Sequence, residues 1–264
     1  MSVTVVDGES TPRPLRGCFV TGTDTEVGKT AISAGLLHLL GRRGQQVAGY
    51  KPVAAGATWR SGVSGAEGHW HNDDVEALLA ASHIALTRAD VCPSLFEAAC
   101  APHLAARLEG RCIEPHTLIA GAHRLMSRCE ALVVEGVGGF GVPLVVANGP
   151  TDPPGDWGAD DLAAALGLPV VMVVGLRLGC INHALLTAQA VAARGLNLVG
   201  WVANRIDPHM GLAQDNIDTL STLLHRRHGA LMLGVVEHLG DPSPERVADA
   251  LDEAMVRRAL GLGD

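Results

Sequence analysis

The chain has 264 residues, enough for one large α/β domain or two small ones, and its net charge of -8 argues against a broad surface for nucleic acid or anionic membrane. With 47% hydrophobic residues but only three Phe and one Tyr, the core must be aliphatic, as in parallel sheets covered by helices on both faces. No apolar run approaches the roughly 20 residues that a membrane-spanning helix needs. The six cysteines form no C-x-x-C pair and follow no signal peptide, which predicts reduced thiols in a cytoplasmic protein.

Short apolar runs alternate with helical patterns along the chain. Residues 1–15 are polar and contain two prolines, so we predict a flexible N-terminal extension before a domain of residues 16–264. Strands are predicted at 18–20, 47–50, 132–134, 169–174, 198–203 and 231–236, and the main helices at 30–40, 182–194, 212–228 and from Pro244 onward. The Gly- and Pro-rich segments 56–68 and 148–158 are predicted surface loops. The alternation predicts a single-domain α/β fold with a mostly parallel central sheet and helices on both faces.

The segment between the first strand and the first helix runs from Gly22 to Thr30 and reads G-T-D-T-E-V-G-K-T. A chain bent around glycines can point successive N–H groups at phosphate oxygens, and the following helix adds its positive N-terminal end. Lys29 is expected to reach the β- and γ-phosphates of a nucleotide, and the Thr30 hydroxyl to complete a magnesium shell. Five residues separate Gly22 from Gly28, where the usual loop has four. A Gly-rich turn without a ligand is the alternative, but the strand–loop–helix context favours a phosphate loop.

The longer spacing resembles the first motif of the dethiobiotin synthetase family. Further resemblances follow in that family's order, at 50–53 (YKPV), 72–74 (NDD), 101–104 (APHL), 109–111 (EGR), 134–139 (VEGVGG), 174–183 and 200–204. The resemblance implies a fold of the P-loop type. It also implies a homodimeric ligase of biotin biosynthesis that converts 7,8-diaminononanoate, CO2 or bicarbonate, and ATP to the cyclic urea dethiobiotin, with Mg2+ as cofactor.

The same resemblance implies roles for individual positions. Lys29 and Lys51 would be catalytic, with Lys51 between a carbamate and the transferring phosphoryl group. The nucleotide and its magnesium ion would be bound by Glu26, Val27, Gly28, Lys29, Thr30, Ala31, Asp74, Glu135, Gly136, Val137, Gly138, Asn204 and Leu239. The diamine would be contacted by Thr25, Ala55, Leu178, Gly179 and Asn182, the last three from the neighbouring subunit.

The metal ligands also have a direct chemical rationale. Mg2+ between phosphates prefers one or two carboxylates and a hydroxyl, which Asp74, Glu135 and Thr30 could supply. Glu135 follows a buried apolar run and is predicted at the carboxyl edge of the sheet, where open α/β sheets bind ligands. Alternatives remain open for each position. Glu135 could be a helix-capping or salt-bridged carboxylate, and Lys51 could be a solvated lysine at a strand end. Asp74 could belong only to a helix N-terminus, and Asp73 is an alternative metal ligand.

Three positions depart from the family pattern. Ala55 stands where the family often has Ser or Thr, Arg177 where a Lys is found, and Glu237 where a Pro is found. The pair of histidines at His69 and His71 lies in a segment that we predict to be a mobile loop, and no zinc is assigned to it because no Cys or further His stands at ligand spacing.

Two rival functions share this fold class. A switch ATPase of the partitioning type would carry a second lysine within the phosphate loop, and the stretch from Asp24 to Gly28 has none. A regulatory module would accompany another enzyme domain, and none is visible in 264 residues.

Overall fold

The computed structural model describes residues 17–62, 68–147 and 155–262. The strands, in chain order, are β1 (Gly17–Gly22), β2 (Val47–Tyr50), β3 (Val53–Ala54), β4 (Thr58–Arg60), β5 (His69–His71), β6 (Ser94–Leu95), β7 (Ala131–Gly139), β8 (Pro143–Val145), β9 (Trp157–Gly158), β10 (Val170–Gly175), β11 (Leu198–Asn204) and β12 (Leu231–Val236). The helices are α1 (Lys29–Gly41), α2 (Asp73–Ala81), α3 (Arg88–Val91), α4 (Pro102–Leu108), α5 (Pro115–Met126), α6 (Ala159–Leu166), α7 (Cys180–Ala193), α8 (Ala213–His228), α9 (Pro244–Asp249) and α10 (Glu253–Ala259).

A six-stranded sheet organises the chain, in the order β12-β11-β10-β1-β7-β2. Every neighbouring pair in it is parallel, so each connection must cross over the sheet and return to the same end. The predicted α/β fold with a mostly parallel central sheet is therefore confirmed. All six predicted strands lie in this sheet, and the predicted helices correspond to α1, α7, α8 and α9.

Successive side chains of each strand point to opposite faces of the sheet, and each face packs into its own hydrophobic core. In β10, Val170, Met172 and Val174 belong to the core on one face, while Val171 and Val173 belong to the core on the other. Helices α5 to α8 contribute to the first core and α1, α2, α9 and α10 to the second, which confirms helices on both faces. The near-continuous aliphatic strands are what a sheet buried on both sides requires.

Several local predictions need correction. Segment 56–68 is not all loop, because it contains β4, and His69–His71 is not a mobile loop but β5; the two strands form an antiparallel pair. Cross-strand contact between Trp59 and Trp70 supports this pair, with ring centroids 5.4 Å apart. Within the predicted loop 148–158, residues 157–158 form β9, and residues 148–154 lie outside the described part of the chain. The predicted extension, residues 1–15, also lies outside it.

Within the described residues, none of the helices combines the length and the apolar character that crossing a bilayer would require.

The stability of the fold should depend on the layer that α1 forms against the sheet. Leu36 in α1 is fully buried. Leu36→Ala is expected to lower the free energy of unfolding by about 2–5 kcal/mol, because the cavity it leaves cannot fully collapse. The exposed Leu108 of α4 provides the control, since Leu108→Ala should change stability by less than about 0.5 kcal/mol. Urea denaturation of both variants measures this, and equal losses would contradict the assignment of α1 to the core.

Candidate active site

The functional residues predicted from sequence converge on one edge of the sheet. Because the strands are parallel, their carboxyl ends meet at that edge. The phosphate loop follows β1, Lys51 follows β2 directly, and Asn204 is the last residue of β11. The predicted position of Glu135 after its strand needs a correction, because Glu135 lies inside β7, which continues to Gly139. The site is therefore built beside the middle of β7, and residues 136–139 extend beyond it.

The phosphate loop has the backbone conformation of an anion-binding turn. Gly28 immediately precedes α1 and has φ 89°, a left-handed conformation that favours glycine. A Cβ atom there would lie only 2.2 Å from Nδ2 of Asn204, which itself donates a 2.9 Å hydrogen bond to the carbonyl of Val27. Glu26 is also left-handed, with φ 59°. The first turn of α1 carries no acidic residue, so the positive helix end stays available to an anion.

Asn204 therefore supports the loop in this structure. Its contact with Val27 places it behind the phosphate loop, while the predicted contact with a nucleotide base stays a prediction. Lys29 Nζ donates to the carbonyl of Asp24 at 3.0 Å, and the Asp24 carboxylate forms an ion pair with Arg177. Two cationic side chains, Lys29 and Arg177, are therefore bound to acceptor oxygens of Asp24 in the loop. Phosphate oxygens could compete with Asp24 for both cations.

Lys51, Thr30, Asp74 and Glu135 form one polar cluster beside the loop. The Thr30 hydroxyl lies 2.7 Å from Asp74 Oδ1 and 2.8 Å from Glu135 Oε1. Lys51 Nζ lies 2.6 Å from Glu135 Oε1 and 3.0 Å from Asp74 Oδ2, and it donates to the carbonyl of Gly136 at 3.2 Å. Sheet register explains the central contact, because Tyr50 of β2 pairs with Val134 of β7 and the next residues are Lys51 and Glu135. Lys51 is therefore not a solvated lysine, and Glu135 forms the salt bridge that was one of its alternatives.

Burial sets the electrostatics of this cluster. Glu135 has no exposed surface and Lys51 is 3% exposed. Burial by itself lowers the pKa of Lys51, but attraction by Glu135 and Asp74 outweighs it and raises the pKa, so the ammonium stays charged. The pKa of Asp74 is lowered: burial works against this, but Lys51 and the hydrogen bond from Thr30 overcome it. The pKa of Lys29 is lowered to about 8, first by burial and then by repulsion from Lys51.

Thr30, Asp74 and Glu135 could hold a divalent cation. They are the hydroxyl and carboxylate donors that Mg2+ prefers, and they already converge. Glu135 Oε2 is buried and has no hydrogen-bond partner among the described residues. An unpaired buried carboxylate oxygen is costly, and a cation would satisfy it. Asp73, the alternative ligand, instead binds His71 and is 95% exposed.

A cavity of about 770 Å³ opens beside the cluster. Eleven of the predicted site residues line it, namely Thr25, Glu26, Gly28, Lys29, Thr30, Lys51, Ala55, Asp74, Glu135, Val137 and Gly138. Six further lining residues had no predicted role, namely Ala54, Ala99, Cys100, Ala101, Pro102 and Val142. Most of these precede or begin α4, which the sequence pattern did not reveal, although residues 101–104 carried a family motif.

The other predicted contacts lie away from this lining. Val27 is buried beneath the loop, and Ala31, Gly136, Asn204 and Leu239 are not among the cavity residues. Leu178, Gly179 and Asn182 occupy an exposed surface at the start of α7, where Leu178 is 95% exposed. Within one chain the structure does not bring these three residues to the cavity. Their predicted role requires a second subunit.

Comparison with known proteins agrees with this geometry. The family model described as an AAA domain matches residues 16–246. The chain belongs to this family. It is a family of P-loop NTPases that includes dethiobiotin synthetase.

Solved structures confirm the fold. The chain is similar to a chain of the MinC:MinD cell division protein complex of Aquifex aeolicus, with 13% identity, a TM-score of 0.52, and coverage of 94% of this chain and 97% of that one. MinD of Aquifex aeolicus alone gives 14% identity and a TM-score of 0.51 over 94% and 98% of the two chains. At this identity the similarity establishes the α/β fold with its parallel central sheet, and no function.

The lowered pKa of Lys29 predicts a pH-dependent nucleotide affinity. The ammonium form binds phosphate, so affinity should be nearly full at pH 7 and fall as the lysine deprotonates through its pKa of about 8. We expect ATP binding to weaken about tenfold between pH 7 and pH 9, as the charged fraction falls. Calorimetric titration with MgATP measures this. Lys29→Arg stays charged throughout and should show a much flatter profile; the same pH profile in both proteins would contradict titration of Lys29.

Proposed function

We propose that this protein is a dethiobiotin synthetase. It would join 7,8-diaminononanoate, CO2 and ATP to give dethiobiotin, ADP and phosphate. One amine captures CO2 as a carbamate, the carbamate oxygen takes the γ-phosphoryl group to give a mixed anhydride, and the second amine closes the ring as phosphate leaves. The motif series of the phosphate loop and the segments at 50–53, 72–74 and 134–139 supports this assignment.

The buried ammonium of Lys51 is the observation that carries the proposal. A reaction between a carbamate and a triphosphate brings two anions together, and a fixed cation between them lowers the barrier. Lys51 is held within 3.0 Å of both Asp74 and Glu135, and it lines the cavity next to Lys29. Lys51 follows β2 and lies outside the phosphate loop, which supports a role toward the acceptor as well as the nucleotide.

The apolar part of the cavity lining suits an aliphatic substrate. Ala54, Ala55, Ala99, Ala101, Pro102, Val137 and Val142 supply small apolar surface there. A volume of about 770 Å³ lies within the usual range of small-molecule sites, roughly 300–1,000 Å³. The alkyl chain of the diamine would contact this wall. Ala55, where the family often has a hydroxyl, leaves that contact apolar.

The remaining predicted contacts complete the proposed complex. Thr30, Asp74 and Glu135 would hold Mg2+, which neutralises developing charge on the phosphates when bound. Gly136 and Gly138 would present N–H groups to substrate, and Asn204 and Leu239 would lie near the base. In a homodimer, Leu178, Gly179 and Asn182 of the second copy would receive the carboxylate tail of the diamine. Their exposure at the start of α7 leaves them accessible for that contact.

The chain's own groups act mainly by position and charge. Lys29 would release the Asp24 carbonyl and follow the γ-phosphoryl group, and the N–H groups of the loop would hold the β-phosphate. Thr30 contacts Asp74 and Glu135, and Glu135 contacts Lys51, so these side chains hold one another in place. The cluster would need little rearrangement when the nucleotide binds. No covalent bond to the protein is required.

A nucleotide-driven switch is the second candidate, because two solved structures with this fold are those of MinD and of the MinC:MinD cell division complex. That similarity concerns the fold alone. The phosphate loop from Asp24 to Gly28 lacks the second lysine of that class, and here the second lysine comes from the end of β2. Dependence of ATP turnover on a small-molecule acceptor separates the two functions.

The proposed metal ligands predict a changed magnesium requirement. Glu135→Gln and Asp74→Asn each remove a carboxylate from the cluster, so the Mg2+ concentration for half-maximal activity should rise at least about tenfold in each. Asp73→Asn should keep the wild-type requirement, because that exposed carboxylate lies outside the cluster. A magnesium titration followed by ADP release measures all three. Unchanged magnesium titrations for both Glu135→Gln and Asp74→Asn would contradict the assignment of these carboxylates as Mg2+ ligands.

The decisive experiment couples ATP use to the acceptor. With MgATP alone, ADP release should be very slow; with diamine and bicarbonate it should rise steeply, giving one dethiobiotin per ADP by mass spectrometry. Lys51→Gln should lose the diamine-dependent rate by on the order of 10³-fold and still bind ATP, since Lys29 and the loop remain. Thermal unfolding checks that this variant folds. Rapid hydrolysis without diamine, or a Lys51→Gln variant that loses only ATP affinity, would favour the switch.

A further inference from the structure

A second group of metal-ligating side chains lies on the hairpin of β4 and β5, outside the active-site cluster. His69, His71 and Glu76 each offer a ligand atom, and these atoms lie within 4.8 Å of one another. All three residues are partly buried. From these residues we propose that the protein binds a divalent transition-metal ion, with Zn2+ as the expected ion, through His69, His71 and Glu76.

The hairpin explains why both imidazoles face the same way. Side chains alternate along a strand, so residues 69 and 71 lie on one face of β5 and Trp70 lies on the other. Trp70 contacts Trp59 edge-to-face across the strands, which holds the opposite face and orients the histidines. Helix α2 begins two residues after β5, so Glu76 in its first turn returns to the same face.

The hydrogen bond of His71 also suits a metal ligand. Its Nε2 lies 2.8 Å from Asp73 Oδ1, and since a carboxylate only accepts, Nε2 carries the proton. In the neutral ring, Nδ1 then keeps its lone pair, and Nδ1 is the atom that lies 3.8 Å from Glu76 Oε1. Two ligands about 2.0–2.1 Å from a tetrahedral zinc lie about 3.3 Å apart, so a small shift would seat the ion. An Asp–His–metal arrangement of this kind orients the ligand and raises its basicity.

Glu76 is also held in place from the other side. Arg88 donates from Nε to Oε1 at 2.5 Å and from its terminal nitrogen to Oε2 at 2.9 Å. Each carboxylate oxygen has a second lone pair, so the bidentate pair fixes Glu76 without using all of its acceptor capacity. The charge of Arg88 opposes a cation, so affinity should be lower than at an equivalent site without it.

Two imidazoles and a carboxylate select the type of ion. Imidazole suits Zn2+, Cu2+ and Ni2+, whereas Mg2+ prefers oxygen ligands, so this site should bind zinc in the presence of excess magnesium. Because its ligands come from β5 and α2, a bound ion would also affect the local structure. Zinc would tie the β4–β5 hairpin to the first turn of α2, and that turn presents Asp74 to Thr30 and Lys51.

Zinc titration of the untagged full chain tests the site. In a buffer with excess Mg2+, calorimetry should detect one Zn2+ per chain at this site. His69→Gln and His71→Gln should each weaken that binding more than 100-fold, beyond the about 10–100-fold that loss of a supporting contact costs. Asp73→Asn should weaken it by about tenfold, because it leaves the three ligands but loosens the orientation of His71.

His116→Gln is the matched control. His116 is 81% exposed and its Nδ1 lies 3.7 Å from Glu114, so it has a histidine–carboxylate contact outside the His69–His71–Glu76 group. Its replacement should leave zinc affinity unchanged. Thermal unfolding without metal shows that each variant folds. A wild-type protein that binds no zinc under these conditions, or equal affinity in wild type and the His69 and His71 variants, would overturn the site. Neither outcome bears on the proposed synthetase reaction.

Discussion

A buried carboxylate needs a nearby positive charge. In this sheet that requirement pairs Glu135 of β7 with Lys51 at the end of β2, and this pair lies at the centre of the candidate active site. Glu135 has no exposed surface, and Lys51 lies 2.6 Å from it on the neighbouring strand. Lys51 offsets the cost of burying the Glu135 carboxylate in a medium of low dielectric constant, and Asp74 is a second partner of the same ammonium. The pairing of β2 with β7 therefore fixes the cation's position, and Thr30 and Asp74 are held by hydrogen bonds to the same two residues.

The cluster is assembled from both the sheet and the helices. The phosphate loop and Thr30 depend on α1 after β1, while Asp74 comes from α2, whose N-cap Asn72 accepts from Val75 and donates to the carbonyl of Ala55. Asn72 thus joins the helix that carries Asp74 to the wall of the cavity. A displacement of α2 would separate Asp74 from Lys51, so contacts that hold its first turn affect the active site without touching substrate. The proposed zinc ligands lie on that turn and on the strand before it.

Positive charge at this site is distributed over separate elements. Lys29 comes from the loop, Lys51 from the end of β2 and Arg177 from the segment after β10. In this structure each has a protein acceptor, and two of them, Lys29 and Arg177, share Asp24. Phosphate oxygens would replace Asp24 as the acceptor of Lys29 and Arg177. Until a phosphate binds, Asp24 offsets the positive charge of these two side chains. The pKa of Lys51 is raised because it contacts Glu135 and Asp74 directly, whereas burial and repulsion by Lys51 outweigh the attraction of the carboxylates near Lys29 and lower its pKa.

Local sequence signals predicted the sheet strands, α1, and the phosphate loop, because apolar periodicity and a glycine-bounded turn act through neighbouring residues. The motif resemblance also selected Lys51, Asp74 and Glu135, which the fold brings together. Other features depend on contacts between distant segments: the extension of β7 beyond Glu135, the cavity wall from Ala99 to Pro102, and the hairpin that pairs Trp59 with Trp70. His69 and His71 illustrate the limit. Sequence spacing alone showed two histidines and no third ligand of the expected type, whereas strand alternation and the start of α2 decide that Glu76 joins them, since only folding sets which side chains share a face.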